Sequence, residues 1–104
     1  MSGRRRQQYP ADIIARLREQ WPAAFSLPPK PLALGIGRRI AEQLGGHSRD
    51  LDRAIGWWCS RWSYQRTLAD GGLRYGLDGA ADGEVSPEHQ AQARARLNGR
   101  GPPR

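Results

Sequence analysis

Between Arg49 and Gly79 the chain sets five arginines among three of its four tryptophans and two of its three tyrosines. A guanidinium donates in a planar fork that matches phosphate oxygens, and indole and phenol rings offer faces on which bases stack. This mixture suits recognition of a polyanion rather than the making of bonds. Groupings for catalysis are sparse: there is no Ser/His/Asp ordering, Gly-rich phosphate loop or helical His/Glu pair. Asp78 and Asp82 could be read as a carboxylate pair, but each precedes a glycine, and Asp-Gly steps read as turns. Cys59 reads as a small core filler and His47 as an exposed turn residue. One cysteine with two distant histidines, His47 and His89, gives neither a disulfide nor zinc-ligand spacing. No enzyme activity, metal or cofactor is expected.

The charge balance agrees. Basic residues outnumber acidic ones by 17 to 10, a net +7 with pI ≈ 11.0, which favours polyanion binding. Sixteen of the 17 are Arg and only Lys30 is Lys; a GC-rich genome produces the same bias without a ligand. Residues 1–45 hold eight basic and three acidic side chains, 46–77 five and three, and 78–104 four and four. The basic face is therefore expected in the N-terminal half and the central helix. No apolar run approaches the roughly 20 residues needed to cross a bilayer. The basic start, MSGRRRQQYP, leads into no signal-type segment. A cytoplasmic protein without membrane contact is expected.

The elements that must position these residues are short. At 104 residues the chain makes one small domain with a modest core: a flexible basic arm at 1–8, the domain at 9–98 and a flexible tail at 99–104. Tyr9–Trp21 carries Ile13, Ile14 and Leu17 at helical spacing, with Pro10 suited to the first turn and Pro22 ending it. FSLPPKP, from Phe25 to Pro31, is a connector in which Phe25 and Leu27 have reason to pack. Leu32–Leu44 has Ile36, Ile40 and Leu44 at helical spacing, though its opening LALGIG is ambiguous between strand and helix. Ser48 is an N-cap for the next helix. There Leu51, Ile55, Trp58 and Trp62 form a core stripe, and Arg53, Trp57, Ser60 and Tyr64 a second stripe suited to nucleic acid. Gly56 is a place where that helix could bend or split. Trp57 and Tyr64 have a plainer reading too, as core and core boundary. Leu73–Leu77 alternates like a short strand, with turns at Asp78-Gly79 and Asp82-Gly83 before Glu84-Val85 in a β-hairpin. Ser86-Pro87-Glu88 opens a last helix to about Leu97. The class is mainly α with a small β-hairpin.

Three stretches together resemble one family. PxPLALGI, the helix LDRAIGWWCSRWSYQ, and LRYGLDGAADGEVSPEHQAQARARL look like the ProQ/FinO domain of bacterial RNA chaperones, from about Trp21 to Leu97. The most specific parts are Pro31-Leu32-x-Leu34-Gly35-Ile36, Ala54…Trp62-x-Tyr64, and Arg74-x-x-Leu77-Asp78-Gly79 followed by Gly83-Glu84. The chain resembles a minimal member without a long basic linker or C-terminal domain.

The resemblance implies a FinO-like fold with no cofactor; a monomer is assumed. It also implies binding of structured RNA, namely a terminator-like hairpin with a 3′ single-stranded U-rich tail, in small RNAs and mRNA 3′ ends. It implies RNA-binding roles for Gly35, Tyr64, Arg74 and Gly79, with Lys30 at a basic position before the Leu-Gly motif. Arg74 would fork onto phosphates, Tyr64 would stack or hydrogen-bond at the strand end, and alanine at either would weaken binding with the fold intact. Three positions depart from the family pattern. Ala33 stands where relatives commonly carry Lys, and Asp52 and Gly56 stand where basic residues occur. Arg38, Arg39, Arg49 and Arg53 would compensate, and Arg66 completes the expected RNA-binding set. Two other readings share the charge: a DNA-binding transcription-regulating helical module, and a protein-interaction adaptor using the Trp face.

Overall fold

The computed structural model describes residues 9–46 and 48–100; the expected arm at 1–8, His47 and residues 101–104 lie outside the described residues. The chain runs α1 (Pro10–Gln20), α2 (Ile36–Leu44), α3 (Arg49–Ser60), α4 (Trp62–Asp70), β1 (Leu73–Tyr75), β2 (Ala81–Glu84) and α5 (Pro87–Arg100). Helix α1 packs on α3, α4 packs on α5, and α2 rests on α3. No helix among the described residues is long and apolar enough to cross a membrane.

Local signals set most of the helix ends. Pro10 sits in the first turn of α1 with Asp12, and Arg18 lies in its last turn, as the helix dipole favours. The Ser48 hydroxyl accepts from the Leu51 N–H at 3.0 Å and caps α3. The Ser86 hydroxyl accepts from the His89 N–H at 3.1 Å and caps α5. Helix α5 continues through Arg100, past the expected end near Leu97, so Gly99 and Arg100 are helical rather than tail.

The core gathers Ile13, Ile14 and Leu17 of α1, Ile36 and Ile40 of α2, Leu51, Ala54 and Trp58 of α3, and Tyr64 and Leu68 of α4. Phe25 is fully buried and meets Trp58 edge to face, ring centroids 5.7 Å apart. Such a pair adds about 0.5–1.5 kcal/mol beyond its area. Leu27 does not join it and is exposed.

Three boundaries differ from the sequence pattern. First, the single helix expected through Tyr64 is two. It runs unbroken past Gly56 and stops at Arg61, whose backbone is extended (φ −65°, ψ 146°). Side chains take over the carbonyls that a continuing helix would pair: Ser60 Oγ donates to the Trp57 carbonyl at 3.0 Å, and Gln65 Nε2 to that of Cys59 at 2.6 Å. The Arg61 guanidinium lies over both Trp57 and Trp58, 5.2 and 5.8 Å from the ring centroids. The break shifts the phase of everything after it. Trp62 is only half-buried, and Tyr64 turns inward instead of joining Arg53, Trp57 and Ser60 on the exposed side of α3.

Second, α2 begins at Ile36 rather than Leu32. Residues 31–33 run extended beside β1, with a parallel bridge from Leu32 to Tyr75. The Ala33 N–H donates to the Tyr75 carbonyl at 2.8 Å, and the Tyr75 N–H to that of Pro31 at 2.9 Å. The β1–β2 hairpin thus gains a third, short neighbour. Third, only Asp78-Gly79 forms the hairpin turn, with Asp78 Oδ1 accepting from the Ala80 N–H at 2.9 Å. Asp82 and Gly83 belong to β2, and a bulge between the pairs Leu73–Glu84 and Tyr75–Ala81 absorbs the extra residue.

Candidate nucleic-acid interface

Leu32 is where distant parts of the sequence meet. Its N–H donates to the Tyr64 hydroxyl at 2.9 Å. Its carbonyl accepts from Arg74 Nη1 at 2.8 Å. One turn along α4 from Tyr64, Thr67 Oγ1 donates to the Pro29 carbonyl at 3.0 Å. With the two backbone bonds to Tyr75, these contacts make residues 29–33 a fixed rail between α4 and the hairpin. The rail delivers the chain to Gly35, whose φ of +78° is a conformation that L side chains rarely adopt. Open space surrounds Gly35, so its requirement is conformational rather than steric. Helix α2 starts there with no side chain capping it.

Tyr64 and Arg74 are therefore not free to meet a ligand as expected. Tyr64 is 3% exposed and Arg74 6%. The second arm of the Arg74 fork, Nη2, lies 2.9 Å from His89 Nδ1. Arginine only donates, so Nδ1 accepts and the His89 proton sits on Nε2. Arg74 Nε is buried without a hydrogen-bond partner among the described residues. The fork holds the protein, not phosphate. Its partners are a carbonyl and an imidazole rather than a carboxylate, so a full positive charge lies beneath the rail.

The other expected residues fall into two groups, with Gly79 and Arg66 apart. Lys30, Gly35, Arg38 and Arg39 lie along the rail and the start of α2. Lys30 is exposed, its Nζ 5.2 Å from the Tyr75 ring centroid. Arg38 is exposed, and Arg39 Nη1 bonds Asp82 Oδ2 at 2.5 Å with both side chains nearly half exposed. An exposed pair of this kind contributes at most about 1 kcal/mol, so a phosphate can compete for Arg39. Gly79 stands apart from this group: its φ is +83°, and a Cβ there would sit 2.8 Å from the Ala23 Cβ. It lets the hairpin turn press on Ala23, in the turn that follows α1.

Arg49 and Arg53 form a second group, exposed on α3, with Arg53 at 3.7 Å from Asp50. Asp52 and Gly56 share that exposed side, whereas Ala33 is buried in the core. Arg66 joins neither group; it lies between α4 and α5, 3.5 Å from Asp70. The residues that sequence reading missed are Leu32, Thr67, His89 and Asp82 as partners. His89 is 15 positions from Arg74, and no local pattern links them.

Beside Tyr64, burial pushes the Cys59 thiol up from 9.0 to about 11. Burial, with Cys59 as neighbour, also raises the Tyr64 hydroxyl well above its usual value. Both folded-state values lie above the unfolded ones. The folded state therefore holds these protons where the unfolded chain releases them, and stability is lost as pH rises. Denaturation midpoints are expected to fall above about pH 9, as the unfolded chain releases the thiol proton, with the Cys59 contribution to that fall complete near 11. Cys59→Ala should flatten the first part of the fall; an unchanged slope would refute this origin.

The ProQ/FINO family model matches residues 8–103. The chain is similar to the RNA chaperone ProQ of Aliivibrio salmonicida (strain LFI1238), 34% identical over 92 residues, covering 83% of this chain and 44% of that one. The same figures hold for the RNA chaperone ProQ of Histophilus somni (strain 2336). The chain thus spans less than half the length of these relatives. It is also similar to the crystal structure of NMB1681 from Neisseria meningitidis MC58, a FinO-like RNA chaperone. That match has TM-score 0.71 and 31% identity, covering 82% of this chain and 75% of that one. The NMR solution structure of a ProQ homolog from Legionella pneumophila has the same TM-score at 21% identity, covering 100% of this chain and 93% of that one, and it supports the fold alone.

Proposed function

The chain belongs to the ProQ/FinO family, and from that premise we propose that it is a non-catalytic, monomeric RNA-binding protein of the cytoplasm that recognises hairpins ending in a single-stranded, U-rich 3′ tail. The observation that carries this reading is the rail at residues 29–33, held at Leu32 by Tyr64 and Arg74. It runs from Lys30 to Gly35 and into the first turn of α2, which carries Arg38 and Arg39. The uncapped start of α2 adds the positive end of a helix dipole, and the buried Arg74 charge adds to the field beneath.

Lys30, Arg38 and Arg39 contact phosphates of the stem, and the unpaired 3′ nucleotides lie along the rail near Gly35, where no side chain blocks the backbone. Tyr64 and Arg74 act as positioning residues that hold this backbone in place, and Gly79 lets the hairpin turn sit against Ala23. Arg49 and Arg53 extend the basic surface onto α3, although Asp50 and Asp52 dilute it there. A-form stems offer phosphates and 2′-hydroxyls but little readable sequence, so recognition follows shape and end structure, and affinity falls with salt. Such binding would protect small RNAs and mRNA 3′ ends and assist their pairing.

Crosslinking followed by sequencing of the RNAs bound in cells tests this. Reads are expected to concentrate at hairpins followed by uridines. An even spread over transcripts would refute the reading.

A further inference from the structure

Helices α4 and α5 leave a groove of about 700 Å³ between them. Trp62, Arg66, Ala69 and Asp70 line it from α4, and Arg94, Leu97 and Asn98 from α5. No residue of the rail, α2 or the hairpin lines it. Trp62 is half-buried and lines the groove, and the Arg66 guanidinium lies over its ring, 5.9 Å from the centroid. Both guanidiniums converge on the last turn of α4 and hold their partners at long range. Arg66 Nε is 3.5 Å from Asp70 Oδ1, and Arg94 Nη2 is 3.4 Å from the Ala69 carbonyl. Such contacts sit at the edge of hydrogen bonding, and exposed ones contribute little.

Two forked cations against one carboxylate, beside a flat aromatic floor, match a ligand that alternates phosphate with π surface. Single-stranded nucleic acid has that repeat, and stacking on an aromatic accepts any base. An acidic peptide would use the cations but brings no π surface to stack on the indole. We propose that the α4–α5 groove is a second RNA contact that takes a single-stranded flank, with one base on Trp62 and its phosphates on Arg66 and Arg94. This rests on the RNA reading above. There the 3′ tail occupies the rail, so the strand left at the foot of the hairpin is the 5′ flank.

The test compares two RNAs on the whole chain: a tailed hairpin, and the same hairpin with a single-stranded 5′ extension. Wild type is expected to bind the extended RNA about tenfold more tightly, the order expected for one stacked base. The double variant Arg66→Gln/Arg94→Gln should lose most of that gain and keep the affinity for the unextended hairpin. Trp62→Leu, checked for unchanged melting temperature, should do the same. Equal affinity of wild type for both RNAs, or a gain that survives in the double variant, would overturn the groove assignment alone. Failure of wild type to bind even the unextended hairpin would overturn the RNA reading and this proposal together. If the groove instead captures a polyglutamate peptide and the double variant does not, it belongs to an acidic protein segment, and the RNA assignment falls.

Discussion

Tyr64→Ala is expected to leave the domain largely unfolded, whereas Tyr64→Phe is expected to leave it folded but weakened in RNA binding. The ring of Tyr64 is buried in the core, and its hydroxyl is the acceptor for the Leu32 N–H. Removing a buried aromatic ring costs about 3–5 kcal/mol. A buried N–H left without its acceptor costs about 1–3 kcal/mol more. Against a total stability of about 5–15 kcal/mol, with a small domain toward the low end, the alanine variant has little margin. Alanine here is therefore not a clean probe of binding, contrary to what the family resemblance implies. Phenylalanine keeps the ring and removes only the acceptor, so it loses about 1–3 kcal/mol and frees the rail. Thermal melts with gel shifts on a tailed hairpin check both variants. Wild-type melting and affinity in Tyr64→Phe would contradict the clamp.

Arg74→Ala is expected to lower stability and RNA affinity together, and Arg74→Lys is expected to rescue neither fully. The guanidinium makes two bonds, to the Leu32 carbonyl and to His89, in opposite arms of one fork. Hydrogen bonds to a charged group contribute about 1.5–3 kcal/mol each. Alanine removes both and leaves the Leu32 carbonyl buried without its donor. Lysine keeps the charge but ends in a single ammonium on a flexible stem, without the planar fork that spans both acceptors. If Arg74 instead contacted phosphate directly, lysine would retain much of the affinity and stability would barely change. Because Tyr64 and Arg74 hold the two sides of one residue, Tyr64→Phe combined with Arg74→Lys should depart from additivity. Denaturant titrations of the two single variants and the double variant measure this.

What could be read from the sequence was local. Pro10, Ser48 and Ser86-Pro87-Glu88 mark helix starts because caps act within one turn. The break at Arg61 was not legible. Leu51, Ile55, Trp58 and Trp62 keep helical spacing across it, and the side chains that take over the carbonyls, Ser60 and Gln65, carry no signature of doing so. The site divides the same way. Lys30, Gly35, Arg38 and Arg39 are neighbours in sequence, on the rail and the first turn of α2. The clamp joins Leu32 to positions 32 and 42 residues away, and such pairing has no periodicity to betray it. Arginine and tyrosine in a basic chain read as ligand contacts; only the fold reveals that the protein's own backbone is their partner.

The most direct measurement is an equilibrium competition at one fixed salt concentration. Labelled hairpin RNA with a 3′ uridine tail is displaced by three competitors: the same RNA unlabelled, the hairpin without its tail, and duplex DNA of the stem sequence. The tailed RNA is expected to compete best, the tailless hairpin less well and the DNA least. DNA competing as well as the tailed RNA, or a tail that makes no difference, would contradict recognition of structured RNA by shape and 3′ end.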